Sequence, residues 1–337
     1  MWVAWRQQRS IVGVFLLVAV ALAAWMLITG LHEQSLWHQY LSAPCRGGKG
    51  VTASTLASCG QLQQSVFNSG RYNFYVQAVG EILGPLFGLV LGATAVVSEF
   101  ERKTTRLAWT QSESRARWLG SKFLVSIASM IGILVPLCFV LSWWVGATFM
   151  TRITPKVFPI AGLMGVAYGI FCFTLVVALG LLIRRAAWVF AIGLVLFVAL
   201  FFTMQVQVRP NMVTPNVATV AASQVTQGST SGFYSSGGAP AGSWVLSNGY
   251  EPKGAKGVPN SSLESTSTKD MYRCEDPRPG VTNSYFYCLK HLGLRSIETY
   301  VPDSQFWTLQ LLEGGIYVLL AALLAALTFL GVRRSRV

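Results

Sequence analysis

Six apolar runs, at about residues 11–29, 76–98, 123–147, 160–183, 187–206 and 308–331, constrain this chain more than any motif in it. A helix needs roughly 20 residues to cross a ~30 Å hydrocarbon core, and lipid admits only structures whose backbone polar groups are all satisfied internally. The sequence is 53% hydrophobic and 12% charged, with a mean hydropathy of +0.49. The expected fold is therefore an all-α membrane protein with six transmembrane helices. Arg6 and Arg9 ahead of the first run also fit a secretory signal, but the length of that run and the five that follow favour a permanent span.

Orientation follows from where Lys and Arg sit. With six spans both termini share one side. Arg6, Arg9, the cluster Arg102, Lys103, Arg106, Arg115, Arg117 and Lys122, the pair Arg184 and Arg185, and Arg333, Arg334 and Arg336 all fall on it. Half of the 26 basic residues are thus crowded into short segments on one side. The positive-inside rule places that side, and both termini, in the cytoplasm. The net charge of +13 then needs only an anionic lipid surface, and no nucleic acid.

The six cysteines agree with this topology. Cys138 and Cys172 lie within spans, where a lone Cys acts as a small apolar residue. Cys45, Cys59, Cys274 and Cys288 fall in segments assigned to the outside, as two pairs each 14 positions apart. In an oxidising compartment the expected bridges are Cys45–Cys59 and Cys274–Cys288, each closing a short loop at ~3 kcal/mol in the chain-entropy model. Free thiols or pairing between the two segments fit the same positions. No Cys-x-x-Cys unit suggests structural zinc.

The expected organisation is a first part, 1–206, with five spans, an extracellular loop at 30–75 and a charged cytoplasmic connection after the second span. An extracellular segment at 207–307 follows, and 308–337 forms the sixth span with a basic cytoplasmic tail. The stretch around Gln227-Gly-Ser-Thr-Ser-Gly and Ser235-Ser-Gly-Gly-Ala-Pro is too poor in apolar groups to be other than irregular. The later half carries aromatics and both outer cysteines, and suits a small ordered cap. No internal repeat suggests duplicated halves.

Catalytic chemistry is not legible. His32, His38 and His291 have no ligand-spaced Cys or carboxylate, and there is no Gly-x-Ser-x-Gly turn. Gly47-Gly-Lys-Gly and Gly254-Ala-Lys-Gly do not fit the Gly-x-x-x-x-Gly-Lys-Ser/Thr loop that cradles nucleotide phosphates. No metal site and no cofactor of its own is expected, and any ATP-driven work must draw on another chain.

Glu81 and Glu313 stand at the outer ends of spans. A charge at depth costs ~2.5–3.5 kcal/mol on insertion scales, so such a residue faces a cavity or a partner, unless it sits at headgroup level, where the penalty falls away. Gly84-Pro85 loosens the second span at the same height, which suits a gate or a packing kink equally.

The charged stretch Glu99 to Lys122 has structure of its own. Thr110-Gln-Ser-Glu113 is a capping-box pattern, which starts a helix near Gln111 that runs through Trp118 and Lys122 into the third span. Before it, Phe100, Thr104, Leu107 and Ala108 share one helical face, with Arg102, Lys103 and Arg106 elsewhere. That pattern describes a short amphipathic helix at the inner membrane surface.

At this point the sequence resembles a family. Glu99-x-Glu101-x-x-Thr104, Arg106-Leu-Ala-Trp-Thr-Gln-Ser112, Arg115-x-Arg117-Trp118-Leu and Lys122 are similar to the signature of ABC transporter permeases of the type-2 exporter class. Trp5-Arg-Gln-Gln-Arg9 and Tyr300-x-Pro302-x-x-x-Phe306-Trp307-x-x-Gln310-x-x-Glu313 resemble its opening and its approach to the last span. Lys103, where the family carries Gly, and Gln8, where it carries His, are departures. The first favours continuous helix over a turn, because Lys does not take positive φ cheaply.

The resemblance implies a permease subunit of an exporter in the cytoplasmic membrane of a bacterium, a dimer with a second copy or a paralogue. Two ATPase subunits bind the ATP and Mg²⁺. It implies a coupling helix at about 99–110, with Glu99, Glu101, Thr104, Thr105, Arg106, Trp109, Thr110, Gln111 and Ser112 facing the ATPase and Arg115, Arg117 and Trp118 bracing it. With the second and fifth spans lining the path, Glu81, Phe87, Phe197, Phe201, Met204, Gln310 and Glu313 are the candidate path or gate residues. Such aromatic and Met-rich lining suits hydrophobic or amphipathic cargo, as in multidrug efflux. The rival reading is a non-transporting membrane receptor or sensor whose disulfide-bonded outer domain binds ligand.

Overall fold

The computed structural model describes residues 2–42, 53–101, 114–148, 151–183, 185–221, 238–240, 242–252 and 294–334. Six long helices dominate: α1 (Trp2–Ser42), α2 (Ala53–Gly92), α3 (Arg115–Thr148), α4 (Met164–Ile183), α5 (Ala186–Thr203) and α6 (Phe306–Arg334). Each, with the π or 3₁₀ turns that adjoin three of them, includes a stretch long and apolar enough to cross a membrane: Trp5–Leu36, Tyr75–Val97, Ala116–Thr148, Met164–Ile183, Ala186–Asn211 and Asp303–Arg333. The six apolar runs of the sequence are therefore six helices.

Two helical boundaries differ from expectation. Residues 30–42 and 53–75, read as a loop, continue α1 and α2 beyond their apolar stretches. No proline interrupts 30–42, and polar helix formers such as Glu33, Gln34 and Gln39 extend a helix as readily as apolar ones. The third helix starts at Arg115, not near Gln111. Ser114 is non-helical and its Oγ accepts the Arg117 amide at 3.3 Å, so Ser114 caps the helix through its third residue. Thr110 and Gln111 lie outside the described residues.

The chain forms two compact units, 1–149 with 156–209 and 308–337, and 150–155 with 210–307. In the first, helix association cannot rest on hydrophobic expulsion, because lipid is as apolar as a Leu side chain; close packing has to supply it. Gly84, Gly88 and Gly92, one turn apart on α2, meet α4 backbone to backbone. A Cβ on Gly84 would strike the Gly165 carbonyl, one on Gly88 that of Gly169, and one on Gly92 would sit 3.0 Å from the Phe173 oxygen. Pro85 is accommodated inside a continuous α2, so the Gly84-Pro85 pair serves packing.

Elsewhere aromatics fill the gaps. Phe15 of α1 stacks on Phe87 of α2 with centroids 4.2 Å apart. On α3, Trp144 donates to Thr29 Oγ1 of α1 at 3.1 Å. Tyr168 of α4 meets Phe197 and Phe201 of α5 edge-on at 5.6 and 5.7 Å, and Tyr317 of α6 at 4.8 Å.

Two π-helical turns, Ala93–Val97 after α2 and Met204–Val208 after α5, interrupt the regular ladder. Such turns shift side-chain register by adding a residue, and they cluster at functional positions.

The second unit contains an antiparallel sheet in the order β1 (Asn216–Ala221), β3 (Leu294–Val301), β2 (Trp244–Pro252). Its strands lie within the 207–307 segment, which the sequence suggested would be irregular in its first half and a small ordered cap in its second. Val217, Val220, Val245 and Ile297 supply the β-branched character that strands favour. Arg152 holds Asp303 at 2.8 Å and lies over the Phe306 ring, and Glu298 accepts the Ala239 amide in a buried bond of 3.1 Å.

Candidate functional site

Two polar nodes stand out in the helical unit because both bury charge. The first forms where the charged stretch after α2 meets α1 and α3. Lys122 is 3% exposed, and its Nζ pairs with Glu99 at 2.6 Å while donating to the Ala95 carbonyl at 2.5 Å and to Gln7 Oε1 at 3.3 Å. Ala95 lies in the π turn, where the helical ladder is widened and its oxygen is open to a side chain. The Lys122 ammonium also stands 5.1 Å from the Trp118 ring centroid. One turn along, Ser126 Oγ donates to Gln8 Oε1 at 3.1 Å. Glu101 Oε2 accepts the Ala186 amide at 3.1 Å, supplying an acceptor to the first turn of α5, where Arg185 is extended and offers no side-chain cap.

The second node closes the other end of α5, about 35 Å along the helix axis from Ala186. Arg209 follows the second π turn and grips Glu313 of α6 through Nε at 2.7 Å and Nη2 at 2.9 Å, with both side chains fully buried. Tyr168 of α4 donates to Glu313 Oε1 at 3.1 Å, and the Phe158 ring covers the guanidinium with its centroid 4.3 Å away. Gln310, one turn before Glu313, donates to the carbonyls of Phe158 and Ala161 and accepts the Leu163 amide. Gln77 bonds Glu81 Oε1 at 3.0 Å and also donates to the Lys156 carbonyl.

The sequence candidates distribute unevenly over these nodes. Glu99, Glu101 and Trp118 enter the first, and Gln310 and Glu313 the second, with half-buried Glu81 beside it. Phe87, Phe197 and Met204 are buried and Phe201 is half-buried, in contacts within this chain. Thr104, Thr105, Arg106, Trp109, Thr110, Gln111 and Ser112 lie outside the described residues, as do Cys45, Cys274 and Cys288 and the side chains of Cys59 and Arg115. Arg117 is exposed.

Sequence reasoning missed Arg209, Tyr168, Gln7 and Ser126 as functional partners. Arg209 carried a readable signal, a lone cation directly after the apolar fifth run and ahead of Pro210. Gln7 stood within the Trp5-Arg-Gln-Gln-Arg9 opening but its partner was not legible, and Ser126 carried no signal, because a neutral polar residue beside a span is unremarkable until its partner is known.

Six membrane-length helices define a multi-pass helical membrane protein. A family described as ABC-2 membrane transporter related matches residues 16–209, more than half of the chain, and the chain belongs to that family. The match spans most of α1 and all of α2 to α5, ending at Arg209. No curated protein and no solved structure matches the chain.

Proposed function

We propose that this chain is the membrane subunit of an ATP-driven exporter in a bacterial cytoplasmic membrane. It moves hydrophobic or amphipathic cargo with energy from two separate ATPase subunits that bind ATP and Mg²⁺. Its own role is transport and not catalysis. Both termini and the Glu99 to Lys122 stretch face the cytoplasm, the sheet-bearing segment faces outward with bridges Cys45–Cys59 and Cys274–Cys288, and the permease works as a dimer with a second copy or a paralogue.

The observation that carries this reading is the Glu99–Lys122 node. It roots the charged stretch in α1, α2 and α3 at once, and Glu101 attaches it to the first turn of α5. A force applied to that stretch is thereby delivered to four spans, which is what a coupling element requires. Residues Glu99 to Ser112 engage the ATPase, Arg115, Arg117 and Trp118 brace that contact, and Glu81, Phe87, Phe197, Phe201, Met204, Gln310 and Glu313 shape the path or its gate.

Co-purification with a neighbouring-gene ATPase and measurement of vanadate-sensitive hydrolysis test the reading. Association and loss of stimulated hydrolysis in Glu101→Ala and Thr104→Ala are expected. No association, or unaltered hydrolysis in both variants, overturns it.

A further inference from the structure

The opening turns of α1 present a second surface, behind the Lys122 node. Trp2, Trp5, Arg6 and Arg9 follow the i, i+3, i+4, i+7 spacing of a single helix face. All four are exposed, Trp2 by 68% and Trp5 by 47%. On the other side of the same turns Gln8 is 1% exposed against Ser126, and Gln7 reaches Lys122. The helix is thus fastened to α3 by its amides and shows Trp and Arg outward.

We infer that Trp2, Trp5, Arg6 and Arg9 form a binding surface for the headgroup of an anionic phospholipid. Charge complementarity carries the choice of occupant. Arg6 and Arg9 make no ion pair among the described residues, and the first carboxylate along α1 is Glu33, about 36 Å further on. A guanidinium fork matches a phosphate in geometry as well as charge.

The height fits too. The membrane-length stretch of α1 begins at Trp5, so Arg6 and Arg9 fall in its first turn and a half, at the end that meets the headgroups of a bilayer it spans, and exposed Val14, Leu16, Leu17 and Val18 follow further along it. Trp2 and Trp5 are the amphipathic rings that settle at this boundary, and the Arg6 guanidinium lies 5.3 Å from the Trp2 ring centroid, so the cation and the ring form one patch. The inference concerns lipid alone and holds whether or not an ATPase drives the chain.

Native mass spectrometry of the purified full chain, with phosphatidylglycerol and phosphatidylcholine of matched acyl chains, tests it. The native chain is expected to retain phosphatidylglycerol preferentially. Arg6→Gln with Arg9→Gln is expected to reduce that retention about thirtyfold while phosphatidylcholine retention stays unchanged. Arg333→Gln, a basic change outside the patch, serves as the control and leaves retention intact, as does excess inorganic phosphate. Arg6→Lys with Arg9→Lys, which keeps the charge, retains phosphatidylglycerol and guards against a folding artefact. Equal retention of both lipids by the native chain overturns the inference. So does unchanged phosphatidylglycerol retention in the double Gln variant, including the case where that variant instead loses a protein partner.

Discussion

Arg209 holds Glu313 by the Nε edge of its guanidinium, at 2.7 and 2.9 Å, and neither side chain exposes any surface. The pair joins the end of α5 to α6, and Tyr168 and Phe158 satisfy one oxygen and cover the cation. A buried pair need not stabilise a fold relative to apolar residues, but removing one partner strands the other.

Arg209→Ala or Glu313→Ala is therefore expected to destabilise the protein by about 3–5 kcal/mol, read as a lower unfolding midpoint in SDS-containing mixed micelles. Arg209→Met combined with Glu313→Leu should recover most of that loss. Arg152 and Asp303, 43% and 39% exposed, make a pair of similar length, yet Asp303→Asn should change stability by less than ~1 kcal/mol, because water screens it. Equal losses at the two pairs would contradict the burial argument.

The α2 glycines give the second prediction. Gly88→Ala places a methyl against the Gly169 carbonyl, and neither backbone can yield without separating α2 from α4. A loss of about 1–3 kcal/mol or more, with reduced folded yield, is expected. Gly132 on α3 has nothing within 4 Å of an added Cβ, so Gly132→Ala should be neutral or stabilising by about 0.5–1 kcal/mol. Size-exclusion profiles of the two variants separate the cases.

Cysteine chemistry supplies the third. Cys138 and Cys172 are buried in α3 and α4 as free thiols. With the proposed bridges Cys45–Cys59 and Cys274–Cys288, maleimide labelling after unfolding without reductant should modify these two alone. Peptide mapping should recover Cys45 linked to Cys59 and Cys274 to Cys288. A cross-link between the two outer segments, or four additional labelled thiols, would refute the local pairing.

What the sequence made legible was whatever depends on period and composition. Six spans were readable because twenty consecutive apolar residues admit few other structures. Glu313 was readable as a residue in need of a partner, since a carboxylate at a span's end is conspicuous. The identity of that partner was not, because Arg209 and Glu313 are separated by a hundred residues and nothing local joins them. Gly84, Gly88 and Gly92 carried their spacing openly, yet only the contact with α4 reveals that the spacing is used. The π turns were invisible, since nothing in the composition of Ala-Thr-Ala-Val-Val sets it apart from the regular helix around it, and the Lys122 contact to the Ala95 carbonyl comes from another helix. The sheet was missed because β1, β2 and β3 are short strands spread through a polar segment, each drawing its stability from pairing at a distance.

Lys122 gives the last prediction. Its ammonium is the common partner of Glu99, the Ala95 carbonyl and Gln7, so it links three helices through one charge. Lys122→Met keeps much of the side-chain volume and removes the charge, leaving Glu99 without its ion pair and the root of the charged stretch untied from α3. On the proposed function, ATPase binding should persist while cargo-stimulated hydrolysis falls about fivefold or more, the lower end of a typical coupling energy. Exchanging the charges in Glu99→Lys with Lys122→Glu should restore part of the stimulation, because the attraction between the two positions survives even though the bonds to Ala95 and Gln7 do not. Lys122→Arg should do better than Lys122→Met, since it preserves the cation over Trp118. Hydrolysis that stays fully stimulated in Lys122→Met would mean the node merely holds helices together, and force from the ATPase would have to enter through Glu101 and α5 instead.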